Sequence, residues 1–143
     1  MTPEAKPPKR PGTYPTTIPC VAPPVTVTPE NTAPTAYSQV AATNENQPVV
    51  IALIGDDQDD PEAQVLTFAI GAPPGHGTLS AITQPASSPW NTATVTYTPN
   101  AGYFGPDSFE FTVTDDAGAG GTPGLPSDPA TVAITVYPVC AYI

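Results

Sequence analysis

Residues Tyr97–Gly118 read YTPNAGYFGPDSFEFTVTDDAG, and the second half of that run decides the fold. Phe109, Phe111 and Val113 alternate with Glu110 and Thr112, a period of two that places three large apolar side chains on one face of a strand and polar ones on the other. The stretch before it, NAGYFGPD, and the stretch after it, DDAG, are built from residues that favour turns.

The same period recurs outward in both directions at short intervals. Thr35 to Ala41 opens the series, and Val49 to Ile54 follows with Val49, Ile51 and Leu53 on one face. Val65 to Ile70 turns Leu66, Phe68 and Ile70 inward, and Gly77 to Ile82 is a shorter piece. Thr92 to Thr98 offers Val95 and Tyr97, and Thr131 to Tyr137 offers Val132, Ile134 and Val136. With Ser108 to Thr114 this makes about seven strands, each burying one face, which predicts an all-β sandwich or barrel. Composition agrees: 22 prolines and 11 glycines in 143 residues leave little room for long helices.

Nine of the prolines fall between Met1 and Ala33, so the chain divides into an extended Pro-rich arm at 1–33, a sandwich at 34–138 and a short tail at 139–143. Within the arm, Val25-Thr26-Val27-Thr28 alternates like a strand. Two readings of the arm stay open: a disordered leader, or a segment ordered by lying on a neighbour through Val25 and Val27.

Thirteen acidic residues face three basic ones, for a net charge of -10, and Lys6, Lys9 and Arg10 are the entire basic set. Without cations in the domain, nucleic-acid binding and attraction to an anionic membrane surface lose their driving force. No apolar run is long enough to insert in a membrane, and the N-terminus lacks the apolar stretch of a secretory signal. Either a signal was removed before this numbering begins or the protein leaves the cell by another route, and the Met1 start suits a phage gene product made in the cytoplasm and released by lysis.

The runs TNENQPVVI (Thr43 to Ile51), LTFAI (Leu66 to Ile70), HGTL (His76 to Leu79), YTPNAGYFGPDSFEFTVTDDAG and ATVAITV (Ala130 to Val136) resemble the bacterial immunoglobulin-like and cadherin-like repeats of surface adhesins and phage structural proteins. The resemblance implies an immunoglobulin-like Greek-key β-sandwich serving as spacer, adhesive or decorating module without catalysis. Tyr103 stands where such domains place a corner tyrosine bonded to backbone at the turn.

The repeats often carry a calcium-binding acidic stretch before the LTF strand. Aligned on Leu66-Thr67-Phe68, this chain has Asp60, Pro61, Glu62, Ala63 and Gln64 there, a partial match. Asp56, Asp57 and Asp59 add oxygens nearby, with Glu45, Asp115 and Asp116 in neighbouring loops. A Ca²⁺ ion would need six to eight of them; the alternative is a solvated acidic turn, and no other cofactor is implied.

Enzymatic chemistry finds little support. His76 sits between glycines in a turn, and the domain has no Lys or Arg to stabilise an oxyanion and no second His for zinc. Binding is expected instead in the two long connections, Thr83 to Asn91 with Trp90 and Asp116 to Pro129 with Leu125, although Trp90 could equally cover the edge of the core. Cys20 and Cys140 flank the domain. They allow an internal bridge, a head-to-tail bond between subunits, or two unpaired thiols.

The functional expectation is a decoration or structural protein on a phage virion surface, anchored by its arm to neighbouring subunits. Its alternative is a secreted or cell-surface adhesin module or filament subunit. Partners would be proteins, including copies of the chain in a homo-oligomer or other virion or surface proteins, with a glycan as a further candidate.

Overall fold

The computed structural model describes residues 22–25, 31–58, 65–84, 91–116 and 123–140. Eight strands occur among the described residues: β1 Thr35–Tyr37, β2 Gln39–Asn44, β3 Val49–Asp56, β4 Thr67–Ile70, β5 Gly77–Leu79, β6 Thr92–Pro99, β7 Gly105–Thr114 and β8 Ala130–Tyr137. They form two four-stranded sheets, ordered β1-β3-β6-β5 and β2-β8-β7-β4. No helix occurs among the described residues, so none there is long and apolar enough to cross a membrane.

Alternation places the core as expected. Ile51, Leu53, Leu66, Phe68, Val95, Tyr97, Phe109, Phe111, Val113, Val132, Ile134 and Val136 are all buried between the sheets, while Val49 and Ile70 are half-buried at its margin. Phe68 stacks on Phe111 across the β4–β7 pair, ring centroids 6.3 Å apart. β3 and β6 pair antiparallel in one sheet, β7 and β8 in the other. Because consecutive strands β6 and β7 lie in different sheets, as do β3 and β4, the chain crosses the sandwich repeatedly in Greek-key fashion.

The first expected strand differs from the sequence reading. Thr35 to Ala41 is not one strand but two, broken at Ser38. β1 pairs antiparallel with β3, Thr35 opposite Asp56, whereas β2 crosses to the other sheet and pairs parallel with β8 from Gln39–Val132 to Asn44–Tyr137. Ser38 marks the crossing, its hydroxyl accepting a hydrogen bond from the Thr131 N–H at 3.2 Å. One chain segment thereby supplies an edge strand to each sheet.

The strand from Ser108 also begins earlier, at Gly105, whose φ of 130° is open to glycine and strained for other residues.

Candidate functional site

Strand order brings the ends of β3 and β7 and the starts of β4, β6 and β8 to one pole of the sandwich. There the Gly55 N–H donates to the Asn91 carbonyl at 2.9 Å, the Gln84 side chain donates to the Leu66 carbonyl at 2.7 Å, and the Val65 N–H reaches the Asp116 carboxylate at 3.3 Å. The flanks of the two long connections and of the β3–β4 connection therefore converge, and this is the loop pole.

Of the residues singled out from sequence, Asp56 is half-buried, Asp57 buried and Leu125 exposed at this pole. Asp59, Asp60, Glu62 and Trp90 lie outside the described residues, as do Lys6, Lys9, Arg10, Cys20 and Val27. Among the described residues no group of three or more His, Cys, Asp or Glu is placed to hold a metal ion. Asp115 is buried, and its carboxylate accepts from the Leu125 N–H at 2.6 Å and from the Asn31 side chain at 3.0 Å. That carboxylate ties the segment before β1 to the β7–β8 connection, a structural use the sequence reading did not assign.

At the opposite pole, polar groups of the described residues converge around Asp107. One carboxylate oxygen accepts the Gly75 N–H and the Ser108 N–H, each at 2.9 Å. The other accepts the His76 N–H at 3.0 Å and the Tyr97 hydroxyl at 2.8 Å. The His76 ring stacks on Tyr103, centroids 4.1 Å apart and 4° from parallel, and the Tyr103 hydroxyl donates to the Pro106 carbonyl. The corner tyrosine thus bonds backbone at the turn. A shallow pocket of about 470 Å³ opens beside this cluster, lined in part by Pro73, His76, Asp107 and Glu110.

Sequence reasoning passed over Asp107. The available signal was an acid set one residue before an alternating strand, inside a turn rich in glycine.

Burial alone would raise the Asp107 carboxyl, but hydrogen bonds from Tyr97, Ser108, His76 and Gly75 outweigh it and hold the group below the usual carboxylate range. Tyr97 moves the other way: burial, then the bond to Asp107 and the charges of Asp107 and Tyr103, push its hydroxyl far above the normal tyrosine value. Asp107, depressed when folded, contributes stability that is complete above its unfolded pKa of about 4 and is lost as pH falls through its folded value. Thermal melts should show a wild-type advantage over Asp107→Asn that is constant from about pH 7 to 5 and shrinks below about pH 4. An advantage that grows on acidification would contradict this assignment.

Residues 31–135 match the model of a family described as a bacterial Ig domain. Among solved structures, the chain is similar to an endo-fucoidan hydrolase from glycoside hydrolase family 107, at 22% identity and a TM-score of 0.50, over 77% of this chain. It spans 14% of that hydrolase's length. It is also similar to a PapD-like domain of human CEP192, at 10% identity and TM-score 0.45, covering 82% of this chain and 94% of that one. The Yersinia pseudotuberculosis adhesin InvE matches at 26% identity and TM-score 0.37, over 74% of this chain and 26% of the adhesin. No curated protein matches the chain.

Proposed function

The chain belongs to the bacterial Ig domain family, and from that membership we propose that it works as a non-enzymatic structural module displayed on the outside of a particle or cell. The arm holds it to neighbouring subunits, and the sandwich faces solvent. In its specific form the particle is a phage virion and the protein decorates it.

The observation that carries the non-enzymatic reading is how the polar chemistry is spent. Both oxygens of Asp107 are occupied by donors from the fold itself, so the cluster fixes a turn and has no acceptor left over for a substrate. Charge segregation supports the anchoring role. Lys6, Lys9 and Arg10 sit in the arm, while no Lys or Arg follows residue 10 and most of the acidic residues lie in the domain. An arm of that sign is drawn to a neighbour of the opposite one.

A second form of the same reading, an adhesin module or filament subunit on a cell surface, is favoured by the bacterial character of the matched family. Removing residues 1–30 tests both. The shortened protein should melt within a few degrees of the full chain yet lose attachment to its particle or cell at least tenfold in a sedimentation assay. Undiminished attachment would defeat the anchoring role. Recovery with virions or with cells separates the two forms.

A further inference from the structure

Each sheet has two edges, and three of the four edge strands are guarded. β1 and β5 are three residues long, with Pro34 directly before β1, and the four-residue β4 runs into Pro73 and Pro74. Short strands and nearby prolines are the usual means of preventing edge pairing. β2 has neither. It is six residues long, QVAATN, uncharged and free of proline, and among the described residues it is bonded in its sheet to β8 alone.

Its outer face also presents large apolar side chains between the polar Asn44, Thr131 and Thr135. Val40 is 86% exposed beside Ala133, and the face continues along β8 to Tyr137, at 54%, and on to Val139, at 55%. Phe104, 59% exposed, directly precedes Gly105, which pairs with Val136, and so lies at the level of Tyr137. An edge that no described strand covers, next to exposed valine and aromatic side chains, is suited to receive an extended segment.

We propose that this segment is Val25–Thr28 of a second copy of the chain, added antiparallel to β2. The inference rests on the arm-anchored reading above and names the neighbour. Three observations select the occupant. Val25 is 82% exposed and unpaired with a strand of its own domain. The arm carries every basic residue, and the domain it would meet is acidic. The V-T-V-T alternation matches β2 in phase: with Val27 opposite Val40 and Val25 opposite Ala42, both valines join that outer face and both threonines face inward.

That register has a consequence for the cysteines. Residue 23 then stands opposite Asn44, and Asn44 already stands beside Tyr137. Cys20 lies three residues beyond the first and Cys140 three beyond the second, so the two reach the same height past the end of β2. Arm and β8 are two strand spacings apart, ~10 Å. Beyond Asn44, β2 turns away, with Gln47 N–H donating to the Asn44 carbonyl and Asn46 at φ 62°. Glu45 still touches the start of the β8 tail, its N–H donating to the Tyr137 carbonyl and its carboxylate accepting the Val139 N–H, each at 2.8 Å; past that contact, at Cys140, the two tails can close to the under ~7 Å between Cα atoms that a disulfide requires. Cys140 is exposed and free for it.

The bond forms by thiol–disulfide exchange with an external low-molecular-weight disulfide such as oxidised glutathione. The Cys20 thiolate attacks one sulfur of that disulfide and releases one thiol. The Cys140 thiolate of the second copy then attacks Cys20 in the mixed disulfide and releases the other. The two cysteines lose two protons and two electrons, and the external disulfide gains both.

Full-length Cys20→Ser and Cys140→Ser variants, mixed and incubated with oxidised glutathione, should give a dimer on non-reducing electrophoresis at least tenfold above either variant alone. Val27→Pro, in the arm, and Val40→Glu, on an exposed site that leaves the melting temperature unchanged, should each reduce that dimer at least tenfold. Wild-type protein that stays monomeric with both thiols consumed would overturn the proposal in favour of an internal bridge. A dimer equal in the single variants, or insensitive to Val27→Pro and Val40→Glu, would overturn it too. If arm deletion still abolishes attachment in any of those cases, the anchoring reading stands and the self-pairing alone is refuted.

Discussion

Gly77→Ala should destabilise the domain by about 3 kcal/mol, lowering its melting temperature by about 12 °C. A methyl group at that position would lie 2.4 Å from Cε2 and 2.6 Å from Cζ of Tyr97, and 2.7 Å from the Thr98 carbonyl oxygen. Neither neighbour can give way. The Tyr97 ring is fully buried with its hydroxyl bonded to Asp107, and Thr98 is held by the β5–β6 ladder. Gly75 provides the control two residues away in the same turn. Its added methyl would meet just one atom within 4 Å, Asp107 Oδ1 at 3.8 Å, so Gly75→Ala should stay within about 0.5 kcal/mol of wild type. Equal losses from both variants in denaturant titration would show that the turn needs glycine for a reason other than the passage of Tyr97.

Asp107→Ala should cost a similar amount, about 3 kcal/mol. Four donors lose their acceptor together. The turn N–H groups of Gly75 and His76 can turn to water, but the Tyr97 hydroxyl is left with the His76 carbonyl at 3.5 Å, too long to replace a bond of 2.8 Å. Asp107→Asn, which keeps one carbonyl oxygen, should recover roughly half of the loss. Tyr97→Phe removes the stranded hydroxyl, so combining it with Asp107→Ala should cost about 1 kcal/mol less than the sum of the two single changes. Full additivity in urea unfolding would mean that the 2.8 Å contact contributes nothing.

Where the sequence was legible, it was so because a strand's largest apolar residues point inward. Phe109, Phe111 and Val113 behave this way, as do Val132, Ile134 and Val136. β2 inverts the rule. Its one large apolar residue, Val40, faces solvent, while the small Ala41 packs against the core. A reading of hydropathy phase therefore ran Thr35 to Ala41 together as one strand and missed the change of sheet at Ser38.

The Asp107 cluster was hidden for another reason. Its donors come from residues 75, 76, 97 and 108, and only the closed sandwich brings them together. What the sequence did show there was the Gly75-His76-Gly77 turn itself, and the packing of Tyr97 supplies the physical cause of its second glycine.

The parallel pairing of β2 with β8 also governs how the domain answers to a pull. The chain enters β2 from the loop pole and leaves β8 at the opposite one, so tension applied between its ends drags the two adjacent strands past each other along their length. Their hydrogen bonds, from Gln39–Val132 to Asn44–Tyr137, must then yield together in shear, because none can be peeled away before the next. A body tethered at one end and loaded at the other is thereby set in its mechanically stronger direction.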